Sequence, residues 1–184
     1  MSQQPGAGES GPEQSGPEQS GPDQSGADQS GAEQSAGRQP QDDLRWLREA
    51  IELSRQCPPS ESAFSVGAVL VSGAGQVIAT GYSRELGPKD HAEEVVLAKA
   101  AGDPLLGEAT LYSSLEPCLS RASRPRSCAE LIVDAGIPRV VIAWLEPPLF
   151  AAGGGAAELR RAGIAVDEIP WLAELARSVN AHLL

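Results

Sequence analysis

A three-layer α/β/α fold, with helices on both faces of a five-stranded mixed sheet, is predicted from three observations. Short β-rich runs and runs of helical periodicity follow one another in the order α-β-β-α-β-α-β-α-β-α. The first two β runs are joined by Ser72-Gly73-Ala74-Gly75, a hairpin signal, so they should pair antiparallel. Each later strand is separated from the next by a helix, so strands three to five should run parallel.

The elements are read in order. Asp42 or Asp43 can cap a first helix, whose buried stripe is Leu44, Leu47, Ile51 and Leu53. Pro58-Pro59 ends it. Phe64–Val71 and Gln76–Tyr82 form the hairpin. A helix starts near His91, runs through Val95, Val96 and Leu97 to about Ala101, and stops at Gly102-Asp103-Pro104. Ala109–Ser113 is the third strand. Cys128–Ala135 is a helix closed by Gly136, and Arg139–Ala143 is a short apolar strand of the fully buried kind. Ala156–Ala162 is helical, Ile164–Ile169 is a strand, and Pro170 opens the last helix at its first position.

Residues 40–184 are read as one domain, and residues 1–39 as a disordered tail. Residues 11–35 are five copies of a pentapeptide, from Gly11-Pro12-Glu13-Gln14-Ser15 to Gly31-Ala32-Glu33-Gln34-Ser35. A period of five fits neither helix nor strand, and the near-absence of apolar side chains leaves nothing to offset the ordering entropy. The tail is read as a solvating leader, with a docking segment as the alternative.

The formal net charge is −11, and the acidic residues that precede any basic one (Glu9, Glu13, Glu18, Asp23, Asp28 and Glu33) leave −5 on the remainder. That sign disfavours a nucleic-acid partner. No stretch reaches the ~18 apolar residues of a bilayer span, so no membrane partner is expected. The three cysteines, Cys57, Cys118 and Cys128, are odd in number, and the N-terminus lacks a basic region followed by an apolar one. A reduced, cytoplasmic setting is expected, in which paired thiols are metal ligands more often than disulfides.

Three segments carry chemistry. His91-Ala92-Glu93 opens a helix, Pro117-Cys118 follows a strand end, and Cys128 opens another helix. In α/β sheets ligands gather at strand C-termini and helix N-termini. One imidazole and two thiolates suit zinc by softness. Three protein ligands leave a fourth tetrahedral position for water, the mark of a catalytic site, and zinc brings the pKa of that water to roughly 7. Glu93 lies two residues after His91, where a carboxylate can shuttle protons. The rival reading is a structural zinc site. It needs a fourth ligand, and Cys57 and His182 are the remaining candidates; neither has close ligand spacing, and both are read as surface or structural groups. Glu94 should face away from the metal, and Glu116 should bond backbone or an arginine.

His91-Ala92-Glu93 with Pro117-Cys118 matches the zinc deaminase pattern H-x-E followed by P-C-x-x-C, except that nine residues rather than two separate Cys118 from Cys128. The chain resembles the zinc-dependent cytidine and deoxycytidylate deaminase superfamily, and within it the pyrimidine deaminase domain of riboflavin biosynthesis. Beside those motifs, the resemblance rests on Gly67-Ala68-Val69, Gly81, and the runs at 111–118, 135–143 and 159–166; it covers about residues 63–168.

The resemblance implies the cytidine deaminase-like form of the predicted fold and bound Zn2+. It also implies a homo-oligomer, such as a dimer, and hydrolytic release of ammonia from a small aminopyrimidine nucleotide or nucleoside. A diaminohydroxyphosphoribosylaminopyrimidine ranks first, and cytidine or deoxycytidylate is the alternative. Ser62-Ala63-Phe64-Ser65 stands where that family has Pro-Asn-Pro, and Glu146-Pro147-Pro148 where it has Asp-Pro-Asn-Pro. The reductase often fused to such domains is not expected in a chain ending at Leu184. A reading of another class is a catalytically idle zinc scaffold, against which Glu93 argues.

Substrate contacts are assigned to Ser83, after the second strand, and to Arg121, Arg124 and Arg126 between the two cysteines. Three guanidiniums in six residues could clamp a phosphate; the alternative is a solvated loop with rim salt bridges. Tyr112 and Trp144 are read as core. The Gly153-Gly154-Gly155 run is read as a flexible start to a helix.

Overall fold

The computed structural model describes residues 40–147, 149 and 153–184. The expectation for the residues 1–39 repeat tail lies outside the described residues. Helix α1 (Pro40–Ser54) buries Asp43, Trp46, Leu47, Ala50, Ile51 and Ser54, the i, i+3, i+4 spacing of one helical face. The expected cap at Asp42 or Asp43 is corrected, because the helix begins earlier and both lie in its first turn. Asp43 instead faces inward. Its carboxylate accepts the Tyr112 hydroxyl at 2.7 Å and two Arg139 N–H groups at 2.8 Å each. Arg139 also donates to Asp167 at 2.6 and 2.8 Å, so one guanidinium joins the first helix to the far side of the sheet.

The sheet holds β1 (Gly67–Val71), β2 (Val77–Tyr82), β3 (Thr110–Ser113), β4 (Arg139–Ile142) and β5 (Ala165–Glu168), in the order β2-β1-β3-β4-β5. As expected, β1 pairs antiparallel with β2, and β3, β4 and β5 are parallel. The strand β1 is also antiparallel to β3, which makes the sheet mixed. The strands β1 and β3 are buried throughout: β1 is a continuous apolar run, and β3 buries Leu111 and Tyr112 between Thr110 and Ser113. Helices α2 (Ala92–Lys99), α3 (Cys128–Asp134) and α4 (Gly155–Arg161) are the crossovers after β2, β3 and β4. They pack on one another in sequence, while α1 packs on the sheet and on α5 (Ala173–Val179), giving the predicted layers. Pro170 opens a short 3-10 turn, Pro170–Leu172, that leads into α5.

Both free edges of the sheet carry a basic side chain on a backbone carbonyl. Lys99 Nζ donates to the Thr80 carbonyl of β2 at 2.9 Å, and Arg160 donates to the Val166 carbonyl of β5 at 3.1 Å. No helix among the described residues is long and apolar enough to cross a membrane.

Gly67 sets how closely α1 approaches β1. A Cβ there would lie 2.1 Å from the Ala50 carbonyl oxygen and 2.6 Å from the Ser54 nitrogen. Both are backbone atoms, so relief needs the helix to move. Gly67→Ala is therefore expected to lower stability by at least about 2 kcal/mol in urea unfolding. Gly75→Asn, at φ +81 with nothing within 4 Å of the new Cβ, should change it by less than about 0.5 kcal/mol.

Candidate metal centre

The connections after β2 and β3 bring the chemistry-bearing segments to one place. His91 is the N-cap of α2, in extended backbone conformation, and its ring is held at the mouth of that helix. Cys118 lies five residues beyond the end of β3. Its carbonyl accepts the Ala129 N–H at 3.2 Å, which seats the loop on the start of α3. Cys128 is the first residue of α3. Ser127 caps that helix through a reciprocal pair: the Ser127 hydroxyl accepts the Glu130 N–H at 3.2 Å, and the Glu130 carboxylate accepts the Ser127 N–H at 2.7 Å.

The three donor atoms form a tight triangle. His91 Nδ1 lies 3.6 Å from Cys118 Sγ and 3.4 Å from Cys128 Sγ, and all three donors lie within 4.8 Å of one another. Tetrahedral zinc, with Zn–S of about 2.3 Å and Zn–N of about 2.0–2.1 Å, places its sulfur and nitrogen ligands roughly 3.6 Å apart. The residues therefore fit such an ion. Among the described residues this is the one grouping of His, Cys, Asp or Glu that could hold a metal. Neither rival fourth ligand is there. Cys57 Sγ contacts the Val66 carbonyl at 3.4 Å, and His182 Nε2 contacts the Ser60 carbonyl at 3.0 Å.

The two thiols share a proton unevenly. Cys118 is brought down to about 4 by its hydrogen bond with Cys128, against burial, and by the contact with His91. Cys128 is pushed up by that same bond and by complete burial. His91 is pulled down by burial, but the Cys118 bond and the Glu93 and Cys118 charges outweigh this and hold it above its ordinary value. A divalent ion would take both sulfurs as thiolates and so end the competition.

Glu93 sits on the first turn of α2, buried to 3% exposure. Its Oε1 accepts the Ser113 hydroxyl at 2.9 Å, and its Oε2 lies 3.6 Å from Cys128 Sγ. One oxygen is thus anchored on the end of β3 while the other faces the donor triangle. Burial foremost pushes its pKa up, opposed by His91 and by the Ser113 bond. Ser113 escaped the sequence reading because a serine ending a strand looks like an ordinary boundary.

His91, Glu93 and Cys118 line a cavity of about 350 Å3, with Phe64 and Leu115 on its walls. Glu146, just past β4, also lines it and was missed in the sequence. Its Oε2 is buried with no hydrogen-bond partner among the described residues. Burial, then the charges of Cys118, Glu93 and Glu116, push its pKa up to about 7. Its place after a parallel strand was the available signal. Glu116 bonds backbone, as expected: it accepts the N–H groups of Glu146 at 2.9 Å, Gly154 at 3.2 Å and Ala156 at 2.8 Å. Gly154, at φ +115, lets the chain turn into α4. Gly155 does more than soften that turn, since a Cβ there would lie 1.7 Å from the Pro117 carbonyl oxygen.

The other residues assigned to substrate are placed as follows. Ser83 lines the cavity, and its hydroxyl accepts the Val66 N–H at 3.2 Å. Arg121 lines it too, with a side chain only 5% exposed, and pairs with Glu94 at 3.1 Å. Arg124 pairs with Asp90 at 2.5 Å and Glu94 at 3.3 Å. Arg126 turns outward to Asp134 and the Glu130 carbonyl, and is not among the lining residues. The loop matches the salt-bridged alternative more than a free three-arginine clamp.

The model of the family described as the cytidine and deoxycytidylate deaminase zinc-binding region matches residues 40–144. A diaminohydroxyphosphoribosylamino-pyrimidine deaminase of Schizosaccharomyces pombe is 40% identical over 134 residues, covering 71% of this chain and 33% of that protein. The chain spans about a third of the length of such curated relatives. Acinetobacter baumannii RibD (form 2) superposes with a TM-score of 0.68 at 35% identity, over 78% of this chain and 39% of that one. Aspergillus oryzae Rib2 deaminase, a C-terminal deletion mutant, gives 0.64 at 25% identity, over 74% and 89%.

Metal analysis of purified variants checks the donor set. The chain is expected to hold one zinc, lost in His91→Ala, Cys118→Ser and Cys128→Ser and retained in Cys57→Ser. Zinc lost from Cys57→Ser as well would restore the four-ligand structural reading.

Proposed function

This chain belongs to the cytidine and deoxycytidylate deaminase zinc-binding family, and from that membership we propose that it is a hydrolytic deaminase of a diaminohydroxyphosphoribosylaminopyrimidine-type substrate. The observation that carries the reading is the donor triangle with the Glu93 carboxylate beside it, Oε2 lying 3.6 Å from Cys128 Sγ. The substrate class is carried over from relatives named for that deamination.

His91, Cys118 and Cys128 would hold a zinc ion, which would supply Lewis acidity that activates water at neutral pH. The remaining work falls to the chain's own groups. Glu93 Oε2 takes one proton from the attacking water and gives it to a ring nitrogen, then takes the second from the newly formed hydroxyl and gives it to the departing amine. The water oxygen forms a bond to the amine-bearing carbon. The C–N bond then breaks, and ammonia leaves with a carbonyl in its place. Ser113 keeps the Glu93 carboxylate from rotating between those transfers, which favours one geometry over both steps. Glu146 Oε2 suits a substrate N–H, because a carboxylate accepts and a ring edge rich in amines donates. Phe64 and Leu115 flank the ring and keep bulk water from the reacting carbon.

Ammonia release from this diaminopyrimidine phosphate, cytidine and deoxycytidylate tests the substrate assignment. Turnover of the first well above the others is expected; turnover of cytidine or deoxycytidylate alone would overturn it. Glu93→Gln is expected to keep zinc and lower kcat by at least ~10²-fold. Ser113→Ala should keep zinc and lower kcat about tenfold with little change in KM, the scale of one hydrogen bond to a charged group. Ser113→Thr should recover most of it. Near wild-type turnover in Ser113→Ala would remove the positioning role.

A further inference from the structure

One wall of the cavity lies outside the sheet. Residues 55–66 join α1 to β1, and Ser60, Ser62, Ala63, Phe64 and Val66 of this segment line the cavity. The Phe64 ring stands edge-on to Trp144, with 5.3 Å between centroids. The sheet stops supporting the chain just short of Phe64. Beyond β3, the Gly67 N–H donates to the Ser114 hydroxyl at 3.1 Å, and the Gly67 carbonyl accepts the Ser114 N–H at 3.0 Å. Beyond β2, the Val66 carbonyl accepts the Ser83 N–H at 2.8 Å, and the Val66 N–H donates to the Ser83 hydroxyl at 3.2 Å. At Ser65 both neighbouring strands have run out.

Asn180 takes the place of the missing strand. Its Oδ1 accepts the Ser65 N–H at 2.7 Å, and its Nδ2 donates to the Ser65 carbonyl at 3.0 Å. A carboxamide offers an acceptor and a donor side by side, so one side chain satisfies both backbone groups of one residue, as a paired strand would. Only one orientation of the amide does this. Ser65 is buried and Asn180 is 2% exposed, so water does not stand in for either bond.

Asn180 is itself firmly seated. It follows α5 directly, its N–H donates to the Arg177 carbonyl at 2.8 Å, and its Nδ2 also reaches the Ala176 carbonyl at 3.3 Å. Val179 and Leu183, on either side of it, pack on the core. Two residues on, the exposed His182 donates from Nε2 to the Ser60 carbonyl at 3.0 Å, at the outer end of the same wall. The Arg84 guanidinium also grips the segment, donating to the Phe64 carbonyl at 3.1 Å and the Ser65 hydroxyl at 3.0 Å. The metal donors, Glu93 and Ser113 belong to other elements, so the turn after α5 bears on the wall rather than on the reacting groups.

Building on the deaminase reading above, we propose that Asn180 is a positioning residue for substrate binding, with His182 as its outer support. By fixing Ser65 it holds Ala63 and Phe64 at one distance across the cavity from the metal centre. The width of the slot that receives the ring is then set from the C-terminal end of α5. Without Asn180, a buried N–H and a buried carbonyl lose their partners, and the segment moves to recover them from water. Binding of the ring weakens equally in the ground and transition states, while the proton transfers at Glu93 proceed as before.

The experiment compares zinc-loaded wild type, Asn180→Ala, His182→Ala and His182→Gln by steady-state kinetics on the diaminopyrimidine phosphate and by amide hydrogen exchange. Asn180→Ala is expected to keep zinc, raise KM about tenfold and change kcat by less than about threefold. Exchange in residues 60–66 should quicken at least about tenfold, while residues 110–113 of β3 exchange as in wild type. A KM within about twofold of wild type overturns the proposal. Quickening spread evenly through the chain overturns it too, because that marks a merely structural role. Should Asn180→Ala not fold, His182→Ala decides. Its bond is exposed, so KM should rise about threefold with Tm unchanged. His182→Gln, whose amide nitrogen reaches the same carbonyl, should restore the wild-type KM. An unchanged KM in His182→Ala overturns the proposal. If no ring compound turns over, the deaminase reading fails by itself, while the exchange pattern still decides whether Asn180 holds the wall.

Discussion

The position of Cys118 depends on one buried carboxylate two residues away. Glu116 is 4% exposed and accepts three backbone N–H groups, from the loop after β4 and from the start of α4. Its own N–H donates to the Trp144 carbonyl at 2.8 Å. A buried charge is costly unless it is fully bonded, so these donors are held as firmly as the carboxylate itself. The loops after β3 and β4 and the head of α4 are thereby fixed as one body. Gly155 completes the arrangement by letting α4 press against Pro117, where any side chain would collide with backbone. The donor triangle and the place of Glu146 both follow from this knot.

A second set of contacts holds the scaffold beneath it. Arg139 at the start of β4 binds Asp43 of α1 and Asp167 of β5, and Asp43 in turn takes the hydroxyl of the fully buried Tyr112. Bidentate guanidinium–carboxylate geometry fixes angle as well as distance. The network sits at the N-terminal end of the parallel strands, opposite the metal centre. The two ends divide the labour usual in α/β folds, with stability at one and chemistry at the other.

The layers, the strand directions and the donor triangle with Glu93 were legible in the sequence because each depends on local pattern: periodicity, a hairpin loop, and two short motifs at element starts. What was not legible depends on partners distant in the chain. Asp43 has the composition of a cap, but an arginine 96 residues away claims it. Arg121, Arg124 and Arg126 read as a cationic clamp until Glu94, Asp90 and Asp134 are found beside them. Glu146 looks like a loop acid, and only convergence on the cavity leaves its oxygen buried without a partner among the described residues. Ser113 likewise acquires meaning only when the end of β3 is brought alongside Glu93.

The basic side chains on the two outer strands bear on how copies of this chain can meet. An open sheet edge is a template for another strand, and natural proteins blunt it with charge. Lys99 occupies a carbonyl on β2, and Arg160 occupies one on β5, where Asp167 and Glu168 add negative charge to the same short strand. A strand arriving at either side would have to displace an ammonium or a guanidinium from its acceptor before it could form a ladder. The sheet is therefore closed to growth at both ends. Edge-to-edge stacking into fibrils is opposed by the same two residues.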